Sequence, residues 1–215
     1  MKKYGPILKD GFTLILVSTI FVVAVNAGFK SLKKNGDADP LVTAISQENL
    51  DAAREEIGGA DASVRANRAD ERGRTPLMWA AYANFSDSKQ TGEADAKRIS
   101  FVDMLLERGA DVHAADKDGW TALSWAAWSG LKQVSEKLLS RGASLAVVDA
   151  RGNTPLMIAV LRGNVEIVRL FIQQGADTAS VRKDGKSVKA ILEAARKATP
   201  SLEPTFVEIQ GLLKL

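Results

Sequence analysis

One short phrase recurs three times along this chain, and its recurrence constrains the fold more than any other feature. The copies are DERGRTPLMWAA from Asp70, DKDGWTALSWAA from Asp116 and DARGNTPLMIAV from Asp149. Their turn glycines, together with a fourth at Gly185, are spaced by 46, 33 and 33 residues. A fixed period of 33 residues indicates a stack of structural repeats, in which each unit packs only against its neighbours.

Each copy of the phrase predicts a turn followed by two helices. The pairs Thr75-Pro76 and Thr154-Pro155 are typical of a helix start, because Thr caps free backbone N–H groups and Pro is tolerated at the first helical position. Downstream, an apolar run with helical periodicity predicts a second helix, and a Gly-Ala pair marks its end. These runs begin at Phe101, Val134 and Ile167.

The wording of the three copies closely resembles the ankyrin repeat. This resemblance implies an all-α solenoid of about five helix-turn-helix repeats, two of which cap its ends. We place the repeats near residues 39–69, 70–115, 116–148, 149–181 and 182–215, within a domain that covers 35–215. The ankyrin pattern has His after Thr-Pro-Leu. This chain has Met78, Ser124 and Met157 there, so the hydrogen bonds made by that His are not expected.

The first two repeats depart from the regular length. The second contains a polar insertion at 84–100, which accounts for the difference between the spacings of 46 and 33 residues. One interpretation is a tolerated surface insertion, since lengthening an exposed loop costs little entropy. The other is a partner-binding loop. In the first repeat we expect two short helices within 41–61, followed by an extra-long loop around Ser63 to Ala69.

The N-terminal segment, residues 1–34, has a different character from the repeats. Residues 12–29 carry no charge, and three lysines lie on each side of them. Eighteen apolar residues approach the length of about 20 that a membrane-spanning helix needs, so we expect an uncleaved anchor. A signal peptide cleaved after Ala27 is the alternative.

The orientation of this anchor follows from the charges that flank it. Counting the free amino terminus, the N-terminal side is slightly more positive and is expected to stay in the cytoplasm. The repeat domain of a single-pass membrane protein would then lie outside the cytoplasm, on the periplasmic side. Cleavage would instead give a soluble periplasmic or secreted protein.

The composition argues against several classes of function. Residues 1–34 hold six of the 29 basic and one of the 26 acidic groups, which leaves 23 basic and 25 acidic groups for the repeats. We therefore expect no nucleic-acid partner, since no clustered basic face is evident. The lack of cysteine and the single histidine, His113, exclude a Cys-His dyad and a multi-histidine metal site. We expect no enzyme, no cofactor, no metal and no small-molecule substrate.

The ankyrin resemblance also implies where a protein partner binds, namely at the turn tips and the exposed side of each first helix. Carried over position by position, the candidate partner-binding residues are Arg72, Arg74, Tyr82, Lys117, Asp118, Trp120, Trp128, Arg151, Asn153, Leu161 and Arg162.

Three of these candidates are large aromatic residues. We expect Tyr82, Trp120 and Trp128 to be open to partners and to form a binding hot spot. We assign Trp79 and Trp125 to the core. The alternative is that Trp120 packs against a neighbouring turn and Trp128 against the insertion.

The expected function is therefore a membrane-tethered scaffold that binds a protein partner through its concave face. One alternative is an accessory subunit of a membrane protein complex, held partly by its transmembrane helix. Another is a secreted periplasmic ankyrin protein that supports peroxide defence, which the resemblance permits because such proteins exist in some bacteria.

Overall fold

The computed structural model describes residues 39–82 and 92–214. In these two ranges the chain consists of α-helices, one short 3₁₀ helix and turns, so the expected all-α class is confirmed there. Two isolated β-bridges, Ala115 with Thr121 and Val181 with Ser187, lie at the bases of turns. The N-terminal segment 1–34, with the expected anchor at 12–29, lies outside the described residues.

The helices are α1 Pro40–Ser46, α2 Leu50–Glu56, α3 Ala62–Ala66, α4 Pro76–Ala80, α5 Gly92–Glu107, α6 Ala122–Ser129, α7 Lys132–Ser140, α8 Pro155–Arg162, α9 Val165–Gln173, α10 Val188–Ala198 and α11 Glu203–Leu213. The 3₁₀ helix Pro200–Leu202 joins the last two.

These helices stack in two layers. The first helices α1, α4, α6, α8 and α10 pack each against the next, and so do the second helices α2, α5, α7, α9 and α11. Each first helix also packs against the second helix of its own pair. Only neighbouring pairs share substantial contacts, which is the arrangement of a solenoid.

The same capping device starts every first helix from α4 onward. The Thr75 hydroxyl accepts a hydrogen bond from the backbone N–H of Met78 at 3.4 Å. Thr121, Thr154 and Ser187 cap α6, α8 and α10 in the same way. A hydroxyl at this position satisfies one of the backbone donors that a helix start leaves unpaired.

The core lies between the two layers. The leucines at the second helical position, Leu77, Leu123 and Leu156, are each 0–1% exposed. From the second helices, Leu105, Leu138 and Phe171 are fully buried. Burial of each such side chain contributes roughly 1.5–3 kcal/mol, so the stack is stabilised at every repeat.

Two segments that we expected to be loops are helical. Helix α5 begins at Gly92, within the insertion 84–100, rather than near Phe101. Glu, Ala, Lys and Arg dominate residues 93–98, and these are strong helix formers. Helix α3, Ala62–Ala66, occupies much of the expected loop of the first repeat, and its last residue, Ala66, is fully buried.

No helix within residues 39–82 or 92–214 combines the length and the apolar character that crossing a membrane requires.

Candidate partner-binding face

The second, third and fourth repeats each project a five-residue turn whose first side chain holds the backbone in place. In the turn that begins at Asp70, the carboxylate Oδ1 accepts the N–H groups of Arg72 and Arg74 at 2.8 and 2.9 Å. Asp116 and Asp149 accept the equivalent pairs of N–H groups in the next two turns. These local bonds fix the direction in which each tip points.

The fourth turn lacks this carboxylate. Arg182 stands where the other turns have Asp, and Asp184 accepts the N–H of Lys186 at 3.3 Å instead. The Arg182 guanidinium lies 3.4 Å from the Asp184 carboxylate. The side-chain contacts that hold the last turn therefore differ from those of the other three.

Successive turns are joined to one another. The backbone N–H of Lys117 donates to the carbonyl of Arg72 at 2.9 Å, and that of Ala150 donates to the carbonyl of Asp118 at 2.8 Å. The Lys183 amino group donates to the Ala150 carbonyl at 3.2 Å. The four turns, 70–74, 116–120, 149–153 and 182–186, thus form one continuous surface, here called the turn ridge.

Four candidate residues lie exposed on the turn ridge, as the sequence predicts. They are Arg72, Lys117, Asp118 and Arg151. Within the described part of the chain, no ion-pair partner faces the three cations among them. Their charges are therefore available to a partner and are not required by the fold.

Two other candidates on the turns are buried, so the prediction that they face a partner is wrong in its geometry. Arg74 is 6% exposed, and its guanidinium carbon lies 4.9 Å from the ring centroid of Trp79 and 5.8 Å from that of Trp125. Burial lowers the pKa of Arg74 despite the nearby Asp70 carboxylate. Asn153, 9% exposed, donates through Nδ2 to Asp149 Oδ2 at 2.7 Å. Both side chains support the turns from inside.

The three aromatic candidates are also buried, which contradicts the expectation that they are open to partners. Tyr82, Trp120 and Trp128 are 4%, 8% and 6% exposed. The Trp120 ring centroid lies 4.9 Å from that of Trp125 and 5.6 Å from that of Trp128. Tyr82 meets Trp125 edge to face at 5.2 Å. We call Trp79, Tyr82, Trp120, Trp125 and Trp128 the aromatic cluster.

The physical reason for this burial is that the rings satisfy one another across repeats. Tyr82 comes from the second repeat and the Trp120, Trp125 and Trp128 rings from the third, and edge-to-face pairs at these distances are favourable. The alternative, in which Trp120 and Trp128 pack against other parts of the chain, agrees better with this burial. The neighbours of Trp120, however, include Trp125 and Trp128. The cluster therefore forms a rigid support beneath the ridge.

Arg162 is exposed at the opposite edge of this face, where α8 ends. Its guanidinium carbon lies 4.3 Å from the centroid of the Trp128 ring, and its Nε donates to the Trp128 carbonyl at 3.4 Å. Leu161 beside it is half-buried and packs against the core. Stacking on an aromatic ring fixes the guanidinium plane and leaves its remaining donors available.

Sequence reasoning missed a row of exposed apolar residues at the base of the ridge. Each lies four positions before a turn glycine, and the row consists of Ala69, Ala115, Val148 and Val181. Val148 is 45% and Val181 58% exposed. The repeated offset from the glycine is a signal that the sequence already contained.

The single histidine lies in an exposed turn. The His113 backbone N–H donates to Asp111 Oδ1 at 2.8 Å. Among residues 39–82 and 92–214, no group of three or more His, Asp or Glu side chains is arranged to hold a metal ion.

The family model of ankyrin repeats, in three copies, matches this chain over residues 93–182 and 132–197. These ranges contain three of the turns, the helices α6 to α9 and nearly all of α5 and α10. Residues 93–197 are therefore built from ankyrin repeats.

Proposed function

We propose that this chain is a scaffold that binds a protein partner along the turn ridge and the apolar row beneath it. Ankyrin repeats are in general protein-interaction modules without catalytic activity. The observation that carries the proposal is the exposure of Val148 and Val181 beside the unpaired ridge cations. Val148 and Val181 hold the same position in successive repeats, so a partner that lies along the ridge would contact both.

The aromatic cluster has an indirect role in this proposal. Because Trp120 and Trp128 are buried, they support the binding surface and are not its main contact. A surface that is already rigid loses little conformational entropy when a partner binds. The cluster therefore favours affinity without contacting the partner itself. Its link to the partner is Arg162, which stacks on Trp128.

The scaffold is proposed to be held at a membrane by residues 12–29. Support comes from the sequence, where this uncharged stretch is flanked by lysines on both sides. The repeats would then present the turn ridge to a partner at the outer surface of that membrane. A membrane-protein partner, in a complex that also contacts the N-terminal helix, is compatible with this arrangement.

Site-specific photo-crosslinking tests the proposed face directly. A photoreactive phenylalanine analogue is placed at Val148 or at Val181 in the full chain, expressed in its own host. Both positions are exposed, so the larger side chain leaves the core intact. We expect one discrete crosslinked protein from both positions.

Val64 and Val207 provide matched controls, because they are 71% and 54% exposed but lie on α3 and α11, away from the turn ridge. Crosslinks from Val64 and Val207, with none from Val148 and Val181, would show that another surface binds the partner.

A further inference from the structure

We propose that the surface of the partner that meets the turn ridge is acidic, and that Arg162 is a fixed anchor for one of its carboxylates. This inference rests on the proposed function and adds the chemistry of the partner. It is drawn from the distribution of charges that the folded chain leaves unpaired.

The cations of the two sides of the solenoid are used differently. On the second helices, Lys132 pairs with Glu166, Lys137 with Asp103 at 2.9 Å, and Arg169 with Glu208 at 2.7 Å. Those cations link neighbouring repeats. On the turn ridge, Arg74 pairs with Asp70, and Arg182 and Lys186 pair with Asp184. The other ridge cations, Arg72, Lys117, Arg151 and Lys183, have no ion-pair partner among the described residues.

The unpaired charges of the binding face are mostly positive. The exposed cations are Arg72, Lys117, Arg151, Arg162 and Lys183, and the exposed unpaired anions are Glu71 and Asp118. Two further unpaired carboxylates, Asp116 and Asp149, are buried beneath the tips at 8% and 5% exposure. Asp184 lies between Arg182 and Lys186, at 3.4 and 3.6 Å, and is neutralised by them. With every charge of the four turns and Arg162 included, the face has eight basic and six acidic residues and is net positive, although the repeats as a whole are not.

Hydrogen bonds between the turns arrange these cations in a row. Because the Lys117 N–H bonds the Arg72 carbonyl and the Ala150 N–H bonds the Asp118 carbonyl, the first three tips lie side by side. Arg72 and Arg151 hold the third position of their turns and Lys117 the second, so each of these three tips presents one exposed cation. An acidic surface that lies along the ridge meets a cation at every step.

Arg162 differs from the ridge cations because its position is fixed. Its guanidinium stacks on Trp128 at 4.3 Å, and its Nε is occupied by the Trp128 carbonyl. The two terminal nitrogens are left in a plane, and this fork matches the two oxygens of a carboxylate. Little side-chain entropy is lost on binding because the side chain is already ordered.

A protein fits this surface better than a nucleic acid. Glu71 and Asp118 interrupt the row of cations and would repel an evenly charged phosphate backbone. The exposed Val148 and Val181 beside the row favour apolar side chains, which a polypeptide supplies. The inferred partner therefore carries carboxylates interspersed with apolar residues.

Fluorescence anisotropy with three probes tests this chemistry on the purified full chain in detergent. The first probe is a labelled peptide in which Glu alternates with Val, the second has Lys in place of every Glu, and the third is single-stranded DNA of equal charge to the first. We expect only the Glu peptide to bind, with an affinity that falls as salt rises. Stronger binding of the Lys peptide or of the DNA would overturn the inference.

Single substitutions then locate the contact. We expect Arg151→Glu and Arg162→Gln each to weaken binding of the Glu peptide by about tenfold. Arg162→Lys should lose about threefold, since it keeps the charge but not the stacked fork. Arg141→Glu is the matched control for Arg151→Glu. Arg141 is an exposed cation at the end of α7, and its substitution changes the net charge by the same amount.

Equal losses for Arg151→Glu and Arg141→Glu would overturn the inference, because they would mean that only net charge matters. The crosslinking experiment keeps this result separate from the proposed function. Crosslinks from Val148 with no binding of the Glu peptide would leave the scaffold standing and remove only its acidic partner.

Discussion

The turn glycines are the residues whose role is most sharply defined. Gly152 and Gly185 have nearly the same backbone, with φ of +84° and +79°. They differ in their surroundings, because a Cβ at Gly152 would lie 2.8 Å from the backbone nitrogen of Lys183, whereas one at Gly185 would meet nothing within 4 Å. Gly152 therefore packs against the following turn, whereas Gly185 lies in the last turn of the ridge.

We therefore predict that Gly152→Ala costs more stability than Gly185→Ala. Both variants pay roughly 1–2 kcal/mol for a left-handed alanine. Gly152→Ala should lose a further 1–3 kcal/mol, roughly, because the turns must move apart. Urea unfolding of the two variants measures the difference, with Gly185→Ala as the built-in control. Equal losses would mean that the turns are not in contact.

Asp116 gives a prediction about pH. Its carboxylate is 8% exposed and accepts from the backbone of Asp118 and Trp120 and from Trp125 Nε1 at 3.3 Å. Burial raises the pKa of Asp116 above its ordinary value, and the hydrogen bonds that lower it only partly offset this. A raised folded-state pKa means that stability is greatest below the unfolded-state pKa and is lost as pH rises through the folded-state pKa.

Asp116→Asn removes this titration and places an amide N–H against the Trp125 N–H. The variant should be less stable than the native chain by roughly 1–3 kcal/mol, because buried donors are left unpaired. That difference should be larger in mild acid than at neutral pH, since only the native chain gains stability on protonation. Urea unfolding across this pH range checks it, and a difference that grows toward neutral pH would contradict the assigned direction.

The Trp128 side chain is predicted to stabilise the fold. The ankyrin pattern places Trp128 at a position open to partners, but its ring packs on Trp120 and supports Arg162. Trp128→Ala should cost roughly 3–5 kcal/mol as a cavity. Thermal unfolding measures this loss. Val207→Ala, at a side chain 54% exposed, is the control and should change little. An unchanged melting temperature for Trp128→Ala would restore the exposed assignment.

At the scale of helices and turns, what the sequence could predict is what depends on local chemistry. Thr and Pro mark the starts of α4 and α8, and the Asp and Gly residues fix the turns. The exposure of the ridge tips follows from the same local bonds. These features require no knowledge of what packs against them, so the sequence alone was sufficient.

The features that the sequence did not predict depend on contacts between distant residues. The early start of α5 is stabilised by Arg98, which donates to the Tyr82 carbonyl at 3.0 Å and lies 3.7 Å from Glu48. The burial of Trp120 likewise depends on rings from other positions. Neither the insertion nor the turn has a local pattern that reveals these partners.

Side chains other than the histidine of the ankyrin pattern link the repeats of this chain. Asn164, at the start of α9, donates to the Ala127 carbonyl at 2.7 Å and so ties the fourth repeat to the third. Asn67 donates to the Gly109 carbonyl at 2.8 Å, and Arg108 donates to the Ile57 carbonyl at 2.9 Å. These side-chain links do not recur with the period of the sequence, unlike the backbone bonds between the turns.

At the scale of the whole molecule, the proposed anchor predicts where the chain is found after fractionation. An uncleaved helix at 12–29 should keep the full chain in the membrane pellet through a carbonate wash, with its original N-terminus. Immunoblotting of the fractions and N-terminal sequencing measure both. A chain without residues 1–38 is the control and should leave the pellet. A soluble product that begins at Gly28 would indicate a cleaved signal instead.

The bonds between turns have a consequence for how such an array can lengthen. Both run from the backbone N–H of the second turn residue to the carbonyl of the third residue in the preceding turn, so they do not depend on side-chain identity. A second copy of residues 149–181 placed after residue 181 would meet its neighbours through the same backbone groups. Tandem duplication of the gene segment could therefore add a folded repeat in one event. Circular dichroism of the lengthened chain should show the added helices and a stability no lower than that of the original.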